Sequence, residues 1–184
     1  MNDRRVALTV ILPVLNEERN IAAAIESVAW ADEIIVVDSR STDRTCEIGA
    51  TLGAQVRQFD YTGRGPKKKA WALANVTTRN EWVLILDADE RVTPALRAEI
   101  ESAIAAGSEY GGYCIDREFI FMGRSLRCFR PNWNLRLFRR DRARVEDLGM
   151  SDVPDTGDNE IHEHVRVDGR TGFLRAPLLH DDYR

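Results

Sequence analysis

Along residues 1–90, apolar runs of strand length alternate with stretches of helical period. ALTVILPV (7–14) is nearly continuous in apolar character and reads as a buried strand. Asn16 offers a cap for a helix from about Glu17 to Trp30, with Ile21, Ile25 and Val28 on one face. EIIVVD (33–38) is a second strand. Ser41 or Thr42 caps a second helix that reaches toward Leu52, and Gly53 suits its C-terminal stop. AQVRQF (54–59) is a third strand, the loop DYTGRGPKK leads into a short helix around 68–78, and EWVLILD (81–87) is a fourth strand. Apolar strands alternating with helices predict a parallel sheet covered on both faces.

After Glu90 the pattern changes. Thr93 as cap and Pro94 at the first helical position predict a helix to about Ala106. Glycines at 107, 111 and 112 then punctuate the chain. YCIDREFIFMGRSLRCF (113–129) reads as a hairpin turning at Gly123, and NWNLRLFRR (132–140) as a further strand. The last forty residues are polar and weakly patterned, and are expected to be loop-like. The fold class predicted is α/β, with a mostly parallel central sheet flanked by helices and an irregular, partly antiparallel C-terminal half. Residues 1–184 are expected to form a single domain, with halves at 1–90 and 91–184.

Length and composition agree with that reading. The 184 residues are 43% hydrophobic and 30% charged, enough for one domain with a core. A net charge of −4 names no partner. The cysteines, Cys46, Cys114 and Cys128, are odd in number and form no CxxC pair, so they are expected to be reduced and mostly packed. The apolar run after Arg4 and Arg5 is interrupted by Pro13 and followed by Asn16, Glu17 and Glu18, which suits a core strand better than a signal peptide. No segment approaches the ~20 apolar residues of a membrane span. The expected location is cytoplasmic, with peripheral contact at the inner face of the cytoplasmic membrane left open.

Ligands of open parallel sheets bind beyond the carboxyl ends of the strands. The first predicted strand ends at Pro13-Val14-Leu15-Asn16-Glu17, the second at Asp38-Ser39-Arg40-Ser41 and the fourth at Asp87-Ala88-Asp89. Each cluster alone can be a cap or a solvated turn. Acids at several strand ends on one edge are more than caps require. No GxGxxG or GxxxxGK[ST] follows any strand, which argues against a dinucleotide fold and a P-loop. A diphosphate site without a glycine-rich loop needs another counter-charge, and a divalent cation held by carboxylates supplies one.

VILPVLNEERNI, EIIVVDSRSTDRT and LDADE resemble, in order and spacing, the nucleotide-binding half of family 2 glycosyltransferases with the GT-A fold. VDSRSTD in place of the usual VDDGSTD, with the later RLFRR and HE, is similar to the branch of lipopolysaccharide-core sugar transferases of the β-1,4-glucosyltransferase type. The resemblance implies a nucleotide-sugar-binding half at 1–90, an acceptor half at 91–184, and an inverting transfer dependent on Mn²⁺ or Mg²⁺. It also implies a nucleotide-sugar donor, a UDP-sugar foremost, and a glycan or lipid-linked acceptor. By the same resemblance Pro13, Asn16 and Glu17 belong to the first nucleotide-contacting loop and Asp38 contacts the base. Ser39 stands where many members have a second Asp. Asp89 is the metal ligand, Asp87 lies beside the ribose or diphosphate, and Glu90 supports the turn. GRGPKKKAWAL (63–73) stands where relatives carry a cation near the diphosphate, and Lys68 is the candidate among Arg64, Lys67, Lys68 and Lys69.

The histidines, His162, His164 and His180, all fall late in the chain, and IHEHV lacks HExxH spacing, so a zinc site is not expected. The resembling branch has a His-Glu pair here, followed by a glycine and a later His, which His162-Glu163, Gly169 and His180 match. Glu163 is the candidate base for the acceptor hydroxyl, with Asp158 and Glu160 as rivals. His180 is a candidate metal ligand. Residues 124–144 hold eight arginines opposed only by Asp141, which suits a solvated basic face or an anionic acceptor or membrane surface. Trp133 and Arg136, with His162, are the candidate acceptor contacts. No nucleic-acid-binding motif accompanies the arginines, and no nucleic-acid partner is expected. Members of the family usually continue past HDDYR, so a truncated or naturally short member is expected. The rival functions are a sugar-phosphate nucleotidyltransferase, whose glycine-rich loop after the first strand is missing from LPVLNEERN, and a non-catalytic nucleotide-sugar-binding module.

Overall fold

The computed structural model describes residues 5–60, 67–107, 109–147 and 163–181. The front half is built from β1 (Val6–Val14), α1 (Ile21–Ser27), β2 (Ala31–Asp38), α2 (Thr45–Thr51), β3 (Gln55–Gln58), α3 (Lys68–Asn75) and β4 (Trp82–Ile85). The back half adds β5 (Glu90–Val92), α4 (Pro94–Ala105), β6 (Gly112–Phe121), β7 (Arg124–Ser125), β8 (Trp133–Arg139), β9 (Ala143–Asp147), β10 (Glu163–Val167) and β11 (Thr171–Asp181).

The main sheet runs in the order β3-β2-β1-β4-β8-β6-β11-β5, with β7 paired on β6. The pairs β3–β2, β2–β1 and β1–β4 are parallel, as the apolar runs predict. From β4 onward the sheet is mixed: β8 is antiparallel to both β4 and β6, β11 is parallel to β6, and β5 is antiparallel to β11. One face packs α1, α2 and α4 over Leu8, Val10, Leu12, Leu84 and Leu86. The other packs α3 and the β9–β10 ribbon over Ile11, Ile35, Val37, Val83 and Ile85. Burial on both faces explains why β1, β2 and β4 are apolar without alternation.

Two helix starts differ from the sequence expectation. Asn16 has a φ of 55°, a left-handed conformation that cannot open a helix, and α1 begins only at Ile21. Ser41 and Thr42 likewise lie ahead of α2, which begins at Thr45. Thr93 does cap α4, accepting a hydrogen bond from Leu96 N at 3.1 Å, with Pro94 in the first turn. Gly53 follows α2 at a φ of 86°, as a C-terminal stop requires. Cys46 and Cys114 are half-buried, Cys128 is exposed, and none is paired in a disulfide.

The end of the chain is a correction. Instead of a loop, Thr171–Asp181 forms the longest strand among the described residues, inserted between β6 and β5. Its side chains alternate: Leu174, Ala176 and Leu178 are buried, while Phe173 and Arg175 are exposed. Pro177 hides that period. It lies inside the register shift between Leu174 and Leu178, where a residue without an N–H costs no ladder bond. Arg175 N and Ala176 N donate to the Glu99 carboxylate at 2.7 and 3.2 Å instead.

Among the described residues no helix is long and apolar enough to cross a membrane.

Candidate functional site

The acidic segment after β4 is a tight turn. Glu90 N donates to Asp87 O at 3.0 Å, and Leu86 N donates to Ile11 O at 3.0 Å. The turn sends its side chains in different directions. Ala88 packs into the core. Arg91 ties the turn down by donating to the Ala88 and Glu90 carbonyls, both at 2.7 Å, and to Asn20 O at 3.1 Å.

Asp87 points to cations. Arg136 Nη2 donates to its Oδ2 at 2.5 Å, and Lys69 Nζ lies 3.1 Å from its Oδ1. Burial alone would raise this carboxyl, but Arg136 and Lys69 outweigh it and hold Asp87 well below the usual carboxylate range. Glu90 is fully buried on the same arginine: Arg136 Nη2 donates to Oε1 at 2.7 Å, Arg117 Nη1 lies at 3.5 Å, and Oε2 accepts from Asp87 N at 3.0 Å. Its environment is less compensated. Burial, with the Asp87 charge adding to it, pushes the Glu90 carboxyl up to about 7.

Asp89 points elsewhere. Its Oδ1 is buried, accepts no hydrogen bond, and lies 3.5 Å from His180 Nδ1. The sheet makes this meeting. β5 pairs antiparallel with β11, and the register sets His180 opposite Glu90, one residue from Asp89. The imidazole is packed edge-on against Phe119 at 4.8 Å between centroids, since β6 is its other neighbour. Among the described residues no three His, Cys, Asp or Glu side chains converge as a metal-holding group. The donor set present is a carboxylate with a buried orphan oxygen beside an imidazole nitrogen. That set fits a divalent cation that takes its remaining ligands from bound diphosphate and water.

At the ends of β1 and β2 the polar residues hold one another. Asp38 is buried at the end of β2, and its carboxylate accepts from Ser41 N at 3.0 Å and from the Ser41 hydroxyl. Asn16 Oδ1 accepts from Thr42 N at 2.8 Å, Asn16 N donates to Ser41 Oγ at 2.8 Å, and Glu17 N donates to Thr45 Oγ1 at 2.7 Å. Pro13 is paired with Val37 in the β1–β2 ladder directly beneath. Ser39 N donates to Val14 O at 3.0 Å, while its hydroxyl oxygen is buried without a hydrogen bond. A cleft of about 350 Å³ lies beside this junction, lined by Leu15, Asn16, Glu17, Arg19, Asn20 and Asp43.

The lysine run divides between these two clusters. Helix α3 starts at Lys68, so neighbouring lysines diverge around its axis. Lys68 Nζ donates to Val14 O at 2.9 Å and caps the carboxyl end of β1, while Lys69 reaches Asp87. Arg64 lies outside the described residues.

Of the candidate acceptor residues, Arg136 is 6% exposed and sits under the acid turn, and Trp133 is 40% exposed with its ring edge-on to Phe173 at 5.1 Å. His162, Asp158 and Glu160 lie outside the described residues. Glu163 is described by its backbone: it opens β10 opposite Asp147, at the far end of the ribbon from Ala143. Ala143 follows Arg140, whose N–H bonds Glu81 O at the start of β4. The ribbon packs Ala143, Val145, Val165 and Val167 on the core that contains Val83 and Ile85. Four arginines of the arginine-rich segment are compensated among the described residues: Arg130 pairs with Asp116 and Glu118, Arg136 with Asp87 and Glu90, Arg139 with Glu81 and Arg144 with Asp168.

The chain matches the family described as Glycosyl transferase family 2 over residues 9–157. It is 32% identical over 183 residues to the lipopolysaccharide core biosynthesis glycosyltransferase LpsC of Rhizobium meliloti, covering 96% of this chain and 63% of that protein. It is 39% identical over 130 residues to an uncharacterized glycosyltransferase of Rickettsia typhi, covering 68% and 44%. The chain thus spans less than two thirds of these relatives. Among solved structures, S. aureus TarS 1–349 superposes with a TM-score of 0.62 at 20% identity, over 95% of this chain and 60% of that one. Glucosyl-3-phosphoglycerate synthase from Mycobacterium tuberculosis, in complex with Mn²⁺, UDP and glucosyl-3-phosphoglycerate, superposes with a TM-score of 0.54 at 22% identity, over 73% and 57%. At these identities the two structures speak for the fold, which is GT-A-like.

Proposed function

The chain belongs to glycosyl transferase family 2, and from that membership we propose that it carries the catalytic domain of a metal-dependent inverting glycosyltransferase. The donor in this reading is a nucleotide sugar, a UDP-sugar foremost, and the acceptor a glycan or lipid-linked sugar of the cell envelope, of the lipopolysaccharide-core kind. The observation that carries it is the meeting of Asp89 with His180. A strand from the end of the chain is threaded into the sheet, and it sets an imidazole against the second acid of LDADE. The relative LpsC supports the acceptor class, and the mycobacterial synthase with Mn²⁺ and UDP supports the donor and the metal.

The parts divide as follows. Asp38, with Ser39, Pro13, Asn16 and Glu17, holds the nucleoside at the ends of β1 and β2. Lys69 and Arg136, now on Asp87, place positive charge where a diphosphate would lie, and Lys68 stands at the end of β1 close by. Asp89 and His180 would hold Mn²⁺ or Mg²⁺, which when bound neutralises charge developing on the departing diphosphate. The acceptor hydroxyl oxygen attacks the anomeric carbon from the face opposite the diphosphate. The bond from that carbon to the phosphate oxygen breaks, and the nucleoside diphosphate leaves with the bonding pair. Glu163 takes the hydroxyl proton as the new bond forms, which inverts the anomeric centre.

Calorimetric titration with UDP, GDP and ADP, each with and without Mn²⁺, tests the reading. At least one diphosphate is expected to bind tenfold or more tightly, in order of magnitude, with the metal. If none binds in a metal-dependent way, the proposal fails.

A further inference from the structure

The hairpin formed by β6 and β7, with the 3-10 turn that follows it at Arg127–Phe129, carries an unusual concentration of exposed apolar side chains. Phe121 is 51% exposed, Met122 86% and Phe129 60%, and these are three of the six large apolar residues exposed in the described structure. Single exposed apolar residues are ordinary, whereas a cluster marks a contact surface. The tip is also rigidly presented. Phe121 pairs with Arg124 across Met122 and Gly123, whose φ angles of 49° and 73° are both left-handed, as the tightest hairpin turn requires.

The cluster is connected to the candidate site. Phe119 and Phe121 lie two apart on β6 and so share a face. Phe129 meets Phe119 edge-on at 6.0 Å, and Phe119 meets His180 at 4.8 Å. An aromatic ridge therefore runs from the Asp89–His180 pair out to the hairpin tip. Its flank is cationic. Residues 121–130 hold three arginines, Arg124, Arg127 and Arg130, and no carboxylate. Asp116 and Glu118 neutralise Arg130 from β6, while Arg124 stands exposed at the tip.

We propose that the β6–β7 hairpin docks the chain on an anionic phospholipid bilayer, with Phe121, Met122 and Phe129 below the headgroups and Arg124 at their phosphates. Aromatic and methionine side chains lower their free energy in the acyl boundary, and an arginine on a short stem of surface reaches the anionic headgroup layer. The exposed cation of Arg124 beside the apolar tip fits an interface that is apolar below and negatively charged at its surface, as an anionic bilayer is. Docking in this orientation turns the ridge, and the site at its end, toward the membrane plane. That last consequence rests on the glycosyltransferase reading, but the docking does not.

Co-sedimentation of the full chain with vesicles tests the proposal. Partitioning onto vesicles of phosphatidylcholine with phosphatidylglycerol is expected to exceed that onto phosphatidylcholine alone by about tenfold or more, and to fall as salt rises. The double variant Phe121→Ser/Met122→Ser is expected to lose about tenfold or more of that partitioning, and Arg124→Glu a comparable amount. Should the double variant fail to fold, Met122→Ser alone, at the most exposed position, gives the same comparison. The variants' melting temperatures and metal-dependent UDP binding, measured without lipid, should stay at the parental values. The proposal is overturned if the parent does not favour the anionic vesicles or if the tip variants partition as the parent does. It is equally overturned if these substitutions abolish self-association in lipid-free solution while vesicle binding is absent, which would make the patch an interface between copies. Failure of UDP binding in the parent would count against the transferase reading alone.

Discussion

Asp89 Oδ1 lies 3.5 Å from His180 Nδ1, a contact between the turn after β4 and the strand that ends the described chain. A buried carboxylate oxygen without a hydrogen bond is costly unless a partner arrives. If the partner is a divalent cation, Asp89→Ala and His180→Ala should each reduce the Mn²⁺-dependent part of UDP affinity about tenfold or more, and leave the metal-independent part in place. Calorimetry with and without metal separates the two parts. Unchanged metal dependence in Asp89→Ala would remove this residue from the metal site.

Arg136 is the hinge of the acid turn, since one nitrogen donates to both Asp87 and Glu90. Replacing it with Met preserves much of the volume and leaves two buried carboxyls short of charge. Breaking a buried pair in this way costs about 3–5 kcal/mol. Urea unfolding of Arg136→Met should show a lower midpoint with an unchanged slope. Adding Glu90→Gln should recover part of the loss, because it removes one of the carboxylates that lost compensation.

In the front half, β1, β2 and β4 were legible because they are buried on both faces, so apolar run length alone marks them. The back half was harder for a physical reason. Strand β11 is inserted between β6 and β5 by pairings that no local pattern announces, and Pro177 interrupts the one period that would have shown it. At the candidate site, residue type was readable but aim was not. Asp87 and Asp89 look equivalent in LDADE, yet the turn sends one to Lys69 and Arg136 and the other to His180. The lysine run offered Lys68 as the cation for a diphosphate without saying which lysine faces Asp87, because that depends on where α3 begins. Arg136 was read with an exposed basic segment, and only the β4–β8 pairing brings it beneath the acids. Asn16 and Ser41 have the composition of helix caps and spend their hydrogen bonds on each other's loops instead.

Glu90 gives a pH signature. Its carboxyl sits at about 7 in the folded chain, above its ordinary value of 4.5. The folded state then binds more protons than the unfolded state between those two values, so this residue makes stability fall as pH rises from about 4.5 to about 7. Asp87 acts oppositely: its lowered carboxyl contributes stability that is present at neutral pH and is lost only in acid, below its ordinary value of 3.8. Glu90→Gln should therefore flatten the decline between pH 4.5 and 7 and leave the acid limb intact. Urea midpoints measured across pH on both proteins check the difference, and an unaltered profile would show that Glu90 titrates normally.

Glu163 opens β10 opposite Asp147, and in the proposed reaction it is the base that takes the acceptor proton. General-base assistance is worth about 10²–10⁴ in rate, and Gln keeps the size and a hydrogen-bonding oxygen but cannot take a proton. Glu163→Gln is therefore expected to lower kcat by that factor with a suitable acceptor while metal-dependent UDP binding stays at the parental affinity. The split matters more than the loss. A variant that lost donor binding and turnover together would point to a disturbed ribbon instead of a missing base. A variant with near-parental turnover would move the base to Asp158 or Glu160, and parallel Asn and Gln substitutions at those positions would then decide between them.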